Sequence, residues 1–405
     1  MIDKSTAEKI LTECQNKQKW FLKFLEKLVE IETPPHNPKS HKQVFNVLEK
    51  TLSDLGYRTM ITTGSRSGGQ LFARRPGHPE KGYQLWIGHI DTVWPTGTLT
   101  EMPFEISGNH VSGPGIYDMK AGVTMMILAL KVMKECNLEP ELSPVLFITS
   151  DEETGSRESK ERIIQLAKAV NRTYVLEPSL DDDGKLKTRR KGTGHYDIIV
   201  SGKASHAGIE PEKGKSAIHE LSHVIQHLFE LNDPEKGISV NVGTIEGGIS
   251  TNVIAASSKA SVDVRVAKMK DAKAIDQKIR SLKQTISGTQ LQVAGEIGRP
   301  PLVQNQRNRE LWKSAKKLGE LIGLDLKQGM SGGGSDGNFT SLHTATLDGL
   351  GAVGEGAHSS HEKIYFRETI ERAALFTMLS LLPDVTKNQQ EEKASITKEK
   401  ESQLY

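Results

Sequence analysis

The chain has 405 residues, with 53 Lys and Arg against 51 Asp and Glu and a formal net charge of +2. That balance is no electrostatic footprint for nucleic acid, and no apolar run reaches membrane-spanning length. Two cysteines, Cys14 and Cys136, form no disulfide framework, and the length favours two domains over one core.

The first residues, MIDKSTAEKILTECQNKQKW, lack the apolar stretch of a secretory leader, so the cytoplasm is the expected compartment. An exported protein stripped of its leader would read the same way. Residues 5–31 carry helical spacing and stop at Thr33-Pro34-Pro35. A second helix is expected over 38–55, ending at Gly56, then a strand near 69–74 and another in LWIGHI. A helix over 121–135 and the strands PVLFITS and TYVLE follow. This βαβ-like alternation predicts an α/β fold with a mostly parallel sheet covered by helices on both faces. Such sheets gather ligands beyond the carboxyl ends of their strands.

Near residue 188 the pattern changes. From HYDIIVSGKA to QLQVAGEIG the order is β-α-β-β-α-β, which predicts a two-layer α+β insertion over 188–300. The first domain, begun over 1–187, resumes over 301–386 with helices at 308–322 and 367–381. Residues 387–405 are charged and aperiodic and are expected to be disordered.

Chemistry concentrates where apolar runs end. His89 and Asp91 close LWIGHID; Asp118 lies in GPGIYDMKAG, Glu152 and Glu153 in VLFITSDEETGS, Glu177 in YVLEPS and His358 in GEGAHSSHE. Carboxylates beside apolar strands need a neutralising cation. Two histidines with several carboxylates and no cysteine suit zinc or a similar divalent ion. Asp91 falls near the ring of His89, where a carboxylate would fix its tautomer. Of the pair Glu152-Glu153, one can bind metal while the other serves as a general base.

The ordered set GHIDTV, GPGIYDMKAG, TSDEETGS, LEPS and GAHSSHE resembles the di-zinc metallopeptidase family of aminoacylases, desuccinylases and glutamate carboxypeptidases. The stretch RRKGTGHYDIIVSGKASHAGIEPEKG resembles the glutamate carboxypeptidase branch most. The resemblance implies two zinc ions per chain, replaceable by cobalt or manganese. His89 and Glu177 would complete one site and Glu153 and His358 the other, with Asp118 bridging. It further implies Glu152 as general base, Asp91 as the partner of His89, and a cis Asp118-Met119 bond. The insertion would be a lid that pairs with its copy in a homodimer. His206 would stabilise the oxyanion, and Lys191, Asn252, Arg265, Arg299, Gly333 and Gly334 would hold the substrate. An arginine fork suits a terminal carboxylate.

Two motifs point elsewhere. His219-Glu220-Leu221-Ser222-His223 is a literal HExxH, with His227 one turn on. It lacks the further glycine and third histidine of the extended zincin signature, and it is read as a helix with polar histidines beside an Ile218, Leu221, Ile225, Leu228 stripe. The run Ser331-Gly332-Gly333-Gly334-Ser335-Asp336 lacks a phosphate-loop lysine and is not expected to open a helix after a strand; it is read as a loop for substrate backbone. His361 departs from the family pattern, and His358 is kept as the ligand.

The expected activity is a metallo-exopeptidase cleaving an amide beside a free C-terminal carboxylate, acting on a small peptide or N-acyl-amino acid and engaging neither nucleic acid nor membrane. An N-acyl-amino-acid deacylase would use the same residues. A non-catalytic metal-binding dimerisation protein would have no use for Glu152.

Overall fold

The computed structural model describes residues 2–77 and 79–384; the expected disordered tail lies outside them. The chain divides into two units. The first runs to Thr188, takes Gln304–Met330 and resumes at Ser335; the second is Arg189–Val303 with Ser331–Gly334.

The first unit opens with α1 (Lys4–Asn16), α2 (Gln18–Val29) and α3 (Pro38–Asp54). Strands β1 (Arg58–Thr62), β2 (Gln70–Arg74) and β3 (Tyr83–His89) follow, then β4 (Glu105–Ser107) and β5 (His110–Ser112). Next come α4 (Ala121–Glu135), β6 (Ser143–Thr149), α5 (Lys160–Ala169), β7 (Arg172–Val175) and β8 (Leu186–Arg190). The second unit contributes β9 (Gly192–Ser201), α6 (Ala217–Phe229), β10 (Ser239–Gly247), β11 (Ser257–Val266), α7 (Met269–Arg280) and β12 (Gln290–Arg299). The chain closes through α8 (Gln306–Leu321), β13 (Gln328–Ser331), α9 (Gly337–Thr340), β14 (Ala345–Leu347), β15 (Gly354–Glu355), β16 (Lys363–Tyr365) and α10 (Phe366–Ser380).

The main sheet has the order β1-β2-β6-β3-β7-β14. The pairs β6·β3, β3·β7 and β7·β14 are parallel, whereas β1·β2 and β2·β6 are antiparallel, so the sheet is mixed. Alternation along β3 sends Trp86 to one face and Leu85 and Ile87 to the other. Trp86 meets Phe376 of α10 edge-on, in the core that also takes α1, α2 and α4. Leu85 and Ile87 pack with Ile163 of α5 and Phe339 of α9. Helices therefore cover both faces, which is why the central strands are buried throughout.

The single helix expected over 5–31 is two helices. The chain breaks at Lys17, whose amide caps α1 through the carbonyls of Cys14 and Gln15. Asp3 caps the start of α1 and Asn37 that of α3, each accepting a hydrogen bond from the third residue on. Strand β1, the β4–β5 hairpin and α5 were not anticipated; each is short, and β1 alternates exposed with half-buried side chains.

The second unit is a four-stranded antiparallel sheet, β10-β11-β9-β12, with α6 and α7 on one face. Alternate residues of β9 and β11, among them Tyr196, Ile198, Val262 and Val264, meet Leu221, Val224, Leu228, Ile275 and Ile279. The opposite face is polar, with Ser261 donating to Asp197 across the strands. The buried stripe of α6 is Ala217, Leu221, Val224 and Leu228; Ile218 is exposed, correcting the stripe read from the sequence.

Candidate metal centre

Three parallel strands end together. His89 is the last residue of β3 and lies opposite Thr149 of β6, so the turn holding Glu152 and Glu153 follows at the same edge. On the other side Ile87 pairs with Val175 of β7, and the Leu176 amide still donates to the Ile87 carbonyl, placing Glu177 next. The Leu176 carbonyl lies so close to Gly122 and Gly351 that a Cβ on either would stand 2.1 Å from it. Glycine is required there because the backbones approach too closely for a side chain.

The remaining donors come from a small sheet, β15-β16-β5-β4. The β15–β16 hairpin loop carries His358, which adopts φ 61°. A histidine in the left-handed region is uncommon, and such strain gathers at functional sites. Strand β5 pairs with β16 and leads into the turn of Asp118, whose bond to Met119 is cis.

The side chains converge. His89 Nε2 lies 3.1 Å from Asp118 Oδ1 and 3.5 Å from Glu177 Oε1. His358 Nε2 lies 3.2 Å from Glu153 Oε1 and 3.5 Å from Asp118 Oδ2. Each oxygen of Asp118 thus faces a different histidine. Donor atoms of His89, Glu152 and Glu177 lie within 4.8 Å of one another, as do those of His89, Asp118 and Glu153. Asp91 divides its work: its carbonyl is 3.0 Å from His89 Nδ1, and its Oδ2 accepts from the Glu153 amide at 2.9 Å. The carboxylate is 3.4 Å from the His89 ring, a charge contact; the hydrogen bond that orients the ring goes to the carbonyl.

The electrostatics call for cations. Burial disfavours a charged His89 ring, but Asp118, Asp91 and Glu177 outweigh it and hold its pKa well above the histidine value. Burial likewise works against the Asp118 carboxylate, but His358 and His89 hold it far below the carboxylate range. Hydrogen bonds to Asp118 and Glu153 raise His358 to about 11, while burial pushes Glu153 up to about 7. Two imidazoliums leave the carboxylates of Asp91, Asp118, Glu152, Glu153 and Glu177 well short of neutral; two divalent ions, bound by neutral imidazoles, would bring four positive charges against the five. The donor set of imidazole and carboxylate fits zinc, cobalt or manganese.

One residue of this neighbourhood escaped the sequence reading. Glu362, almost fully buried, accepts from Trp94 Nε1 at 2.8 Å and from the amides of Gly115 at 3.0 Å, Tyr117 at 2.9 Å and Asp118 at 3.0 Å. Its only sequence signal is its place four residues after His358. His361 contacts Ser359 Oγ at 3.1 Å and is exposed.

The expected substrate residues belong to the second unit. His206 Nδ1 accepts from the amides of Gly208 and Ile209, at 3.1 and 3.2 Å, so the neutral ring carries its proton on Nε2. The Asn252 carbonyl accepts from the Ala207 amide, and its side chain accepts from Ser250 Oγ at 2.6 Å. Arg265 gives one edge of its fork to Asp263, at 2.8 and 3.0 Å. Arg299 is buried, and its Cδ would stand 3.0 Å from a Cβ on Gly334. The Gly333 and Gly334 carbonyls accept from Arg190 Nη1, and the Lys191 amide donates to Ser331. Arg190 was not singled out from the sequence. The glycine run does lie between a strand, β13, and the short helix α9, contrary to expectation.

Comparison with known proteins identifies the family. Residues 85–381 match the model of peptidase family M20/M25/M40, and the chain belongs to that family: it is a peptidase or amidohydrolase of the M20 type, whose members include dinuclear metal-binding enzymes. It is similar to carboxypeptidase G2 of Pseudomonas sp. (strain RS-16), with 30% identity over 84% of this chain and 83% of that one. Succinyl-diaminopimelate desuccinylase of Dechloromonas aromatica (strain RCB) is 25% identical over 69% of this chain and 78% of that one. Among solved structures, aminopeptidase PepT of Bacillus cereus ATCC 10987 aligns with TM-score 0.73 and 24% identity over 91% of this chain and 99% of that one. The Bacillus subtilis YXEP protein, described as a dinuclear metal binding peptidase, aligns with TM-score 0.69 and 14% identity over 91% and 98%.

Proposed function

We propose that the chain is a zinc-dependent exopeptidase of the glutamate carboxypeptidase kind, cleaving an amide beside a free C-terminal carboxylate. The observation that carries this is Asp118, with one oxygen toward His89 and the other toward His358, beside Glu152. His89 and Glu177 would hold one ion, Glu153 and His358 the other, and Asp118 both. When bound, the ions supply Lewis acidity to the carbonyl and to water. Glu152 takes a proton from the attacking water and returns it to the leaving amine, so that water is added across the amide and a carboxylate and an amine result. His206, of the same chain or of its copy in a dimer, would offer Nε2–H to the carbonyl oxygen as negative charge develops. Arg265 keeps its Nη1 side for the substrate carboxylate while Asp263 steadies the other edge; Arg299, Lys191 and Asn252 assist, and Gly333 and Gly334 admit the substrate backbone.

Similarity to carboxypeptidase G2 over most of both chains supports the carboxypeptidase reading. Similarity to a desuccinylase supports the alternative, an N-acyl-amino-acid deacylase using the same residues. Hydrolysis of N-acyl-glutamates, dipeptides and acetyl-amino acids with zinc or cobalt present separates the two. Arg265→Ala is expected to lower kcat/KM on substrates with a free carboxylate by at least tenfold and to spare amidated analogues. Equal loss on both would make Arg265 structural.

The second unit is proposed to pair with its copy in a symmetric dimer. Its exposed Ile209, Ile218, Phe229, Ile245 and Ile249 support that reading.

A further inference from the structure

We propose a separate metal site on α6, a two-histidine clamp that does not depend on the dinuclear centre. His219 and His223 are four residues apart and share one helix face. Their Nε2 atoms are 3.2 Å apart, one ring donating a hydrogen bond to the other, with ring centroids at 4.9 Å; a metal would replace the shared proton. Two nitrogens on one tetrahedral zinc, each at about 2.0–2.1 Å, stand roughly 3.3 Å from one another. The rings are thus already at chelating separation. The motif's acid takes no part. Glu220 is fully buried and accepts from the amides of Thr285 and Ile286 and from Thr289 Oγ1. It anchors the loop after α7 and offers no base to the outer face. His227 turns to Glu230 at 3.4 Å. The clamp binds and does not catalyse. Its ligand is an exchangeable borderline cation, held in the order copper above nickel or zinc, with water in the remaining positions.

The test uses the full chain with its dinuclear centre loaded with zinc. Copper(II) is added, bound ions are counted by equilibrium dialysis with metal analysis, and the spin resonance spectrum is recorded. Over the copper range in which zinc stays at two, one further ion per chain with couplings from two imidazole nitrogens is expected. His219→Ala and His223→Ala each weaken it at least tenfold, and His227→Ala does not. Retention of the extra ion in the double alanine variant, its loss in His361→Ala instead, or no extra ion up to millimolar copper overturns the site.

A different observation carries a second proposal, which builds on the dinuclear reading. We infer that Glu362 is a positioning residue that fastens the loop of His358 to the turn of Asp118. Its two oxygens accept from the Gly115, Tyr117 and Asp118 amides of one turn and from the Trp94 indole, while its own chain segment is the His358 hairpin. Partners of this kind typically govern metal affinity about 10–100-fold. Glu362→Gln exchanges one acceptor for an NH2 group that meets backbone N–H donors. With cobalt as the probe, a shifted visible spectrum and at least tenfold weaker binding of one ion are expected. Trp94→Phe, which leaves the amides untouched, gives a smaller change in the same direction. Two ions bound by Glu362→Gln with unchanged spectrum and affinity overturn the role; failure of the unsubstituted chain to bind two ions overturns the dinuclear reading with it.

Discussion

Glu152 and Glu153 are neighbours in one turn with different surroundings. Glu153 is paired with His358 at 3.2 Å, while Glu152 shares a cluster with His89 and Glu177. Glu152→Gln keeps the shape and removes proton acceptance, so turnover should fall by about 10²–10⁴-fold with metal content unchanged. Glu153→Gln should release part of the metal. Full activity in the former would exclude the role as base. A structural carboxylate offers a pH test. Glu158 accepts from the amides of Ser65, Arg66 and Ser67 and from both serine hydroxyls. Partial burial raises its pKa, but the Ser65 and Ser67 bonds and the Arg66 amide prevail and hold it at about 2, against an ordinary 4.5. A depressed folded value stabilises fully above 4.5, and the effect is lost as pH falls toward 2. Glu158→Gln should therefore destabilise by about 1–2 kcal/mol at pH 7, the lower part of the range for charged hydrogen bonds because the group is partly exposed. Urea midpoints should show that gap closing below pH 4.5. A gap of constant size from neutral pH to pH 3 would refute the assignment.

At the scale of elements, the centre depends on how closely α4 approaches the end of β7. Alanine in place of a helical glycine ordinarily gains about 1 kcal/mol. At Gly122 the new Cβ would lie 2.1 Å from the Leu176 carbonyl, a backbone atom that cannot turn aside. Overpacking of this kind costs about 1–3 kcal/mol, so the steric loss wins. Because Leu176 precedes Glu177, Gly122→Ala should lower both the melting temperature and zinc affinity. A melting temperature at or above that of the unsubstituted chain would show that α4 can shift without harm.

For the whole molecule, the charge imbalance of the site predicts two divalent ions per chain in protein purified without chelator. Chelation should lower the melting temperature, because ligands that bind only the folded state stabilise it by mass action. A metal content near zero in zinc excess would remove the centre. Light scattering of the full chain at micromolar concentration should give twice the chain mass; a monomer would refute the dimer. Among the described residues no helix is long and apolar enough to cross a membrane.

Much of this was legible in the chain. His89, Asp118, Glu152, Glu153, Glu177 and His358 stand beside glycine turns or at the ends of apolar runs, and strand ends are where a parallel sheet presents ligands. The β-α-β-β-α-β order of the second unit followed from periodicity, because one face of each element must be apolar. Other features needed the folded chain. The break at Lys17 leaves no proline or glycine to mark it. Glu362 meets amides 244 to 247 residues away and an indole 268 away. The direction of Glu220 inward and of His219 and His223 outward depends on which face of α6 the sheet covers. Local pattern specifies which residues are polar and which elements form; packing alone fixes which distant groups a polar side chain meets.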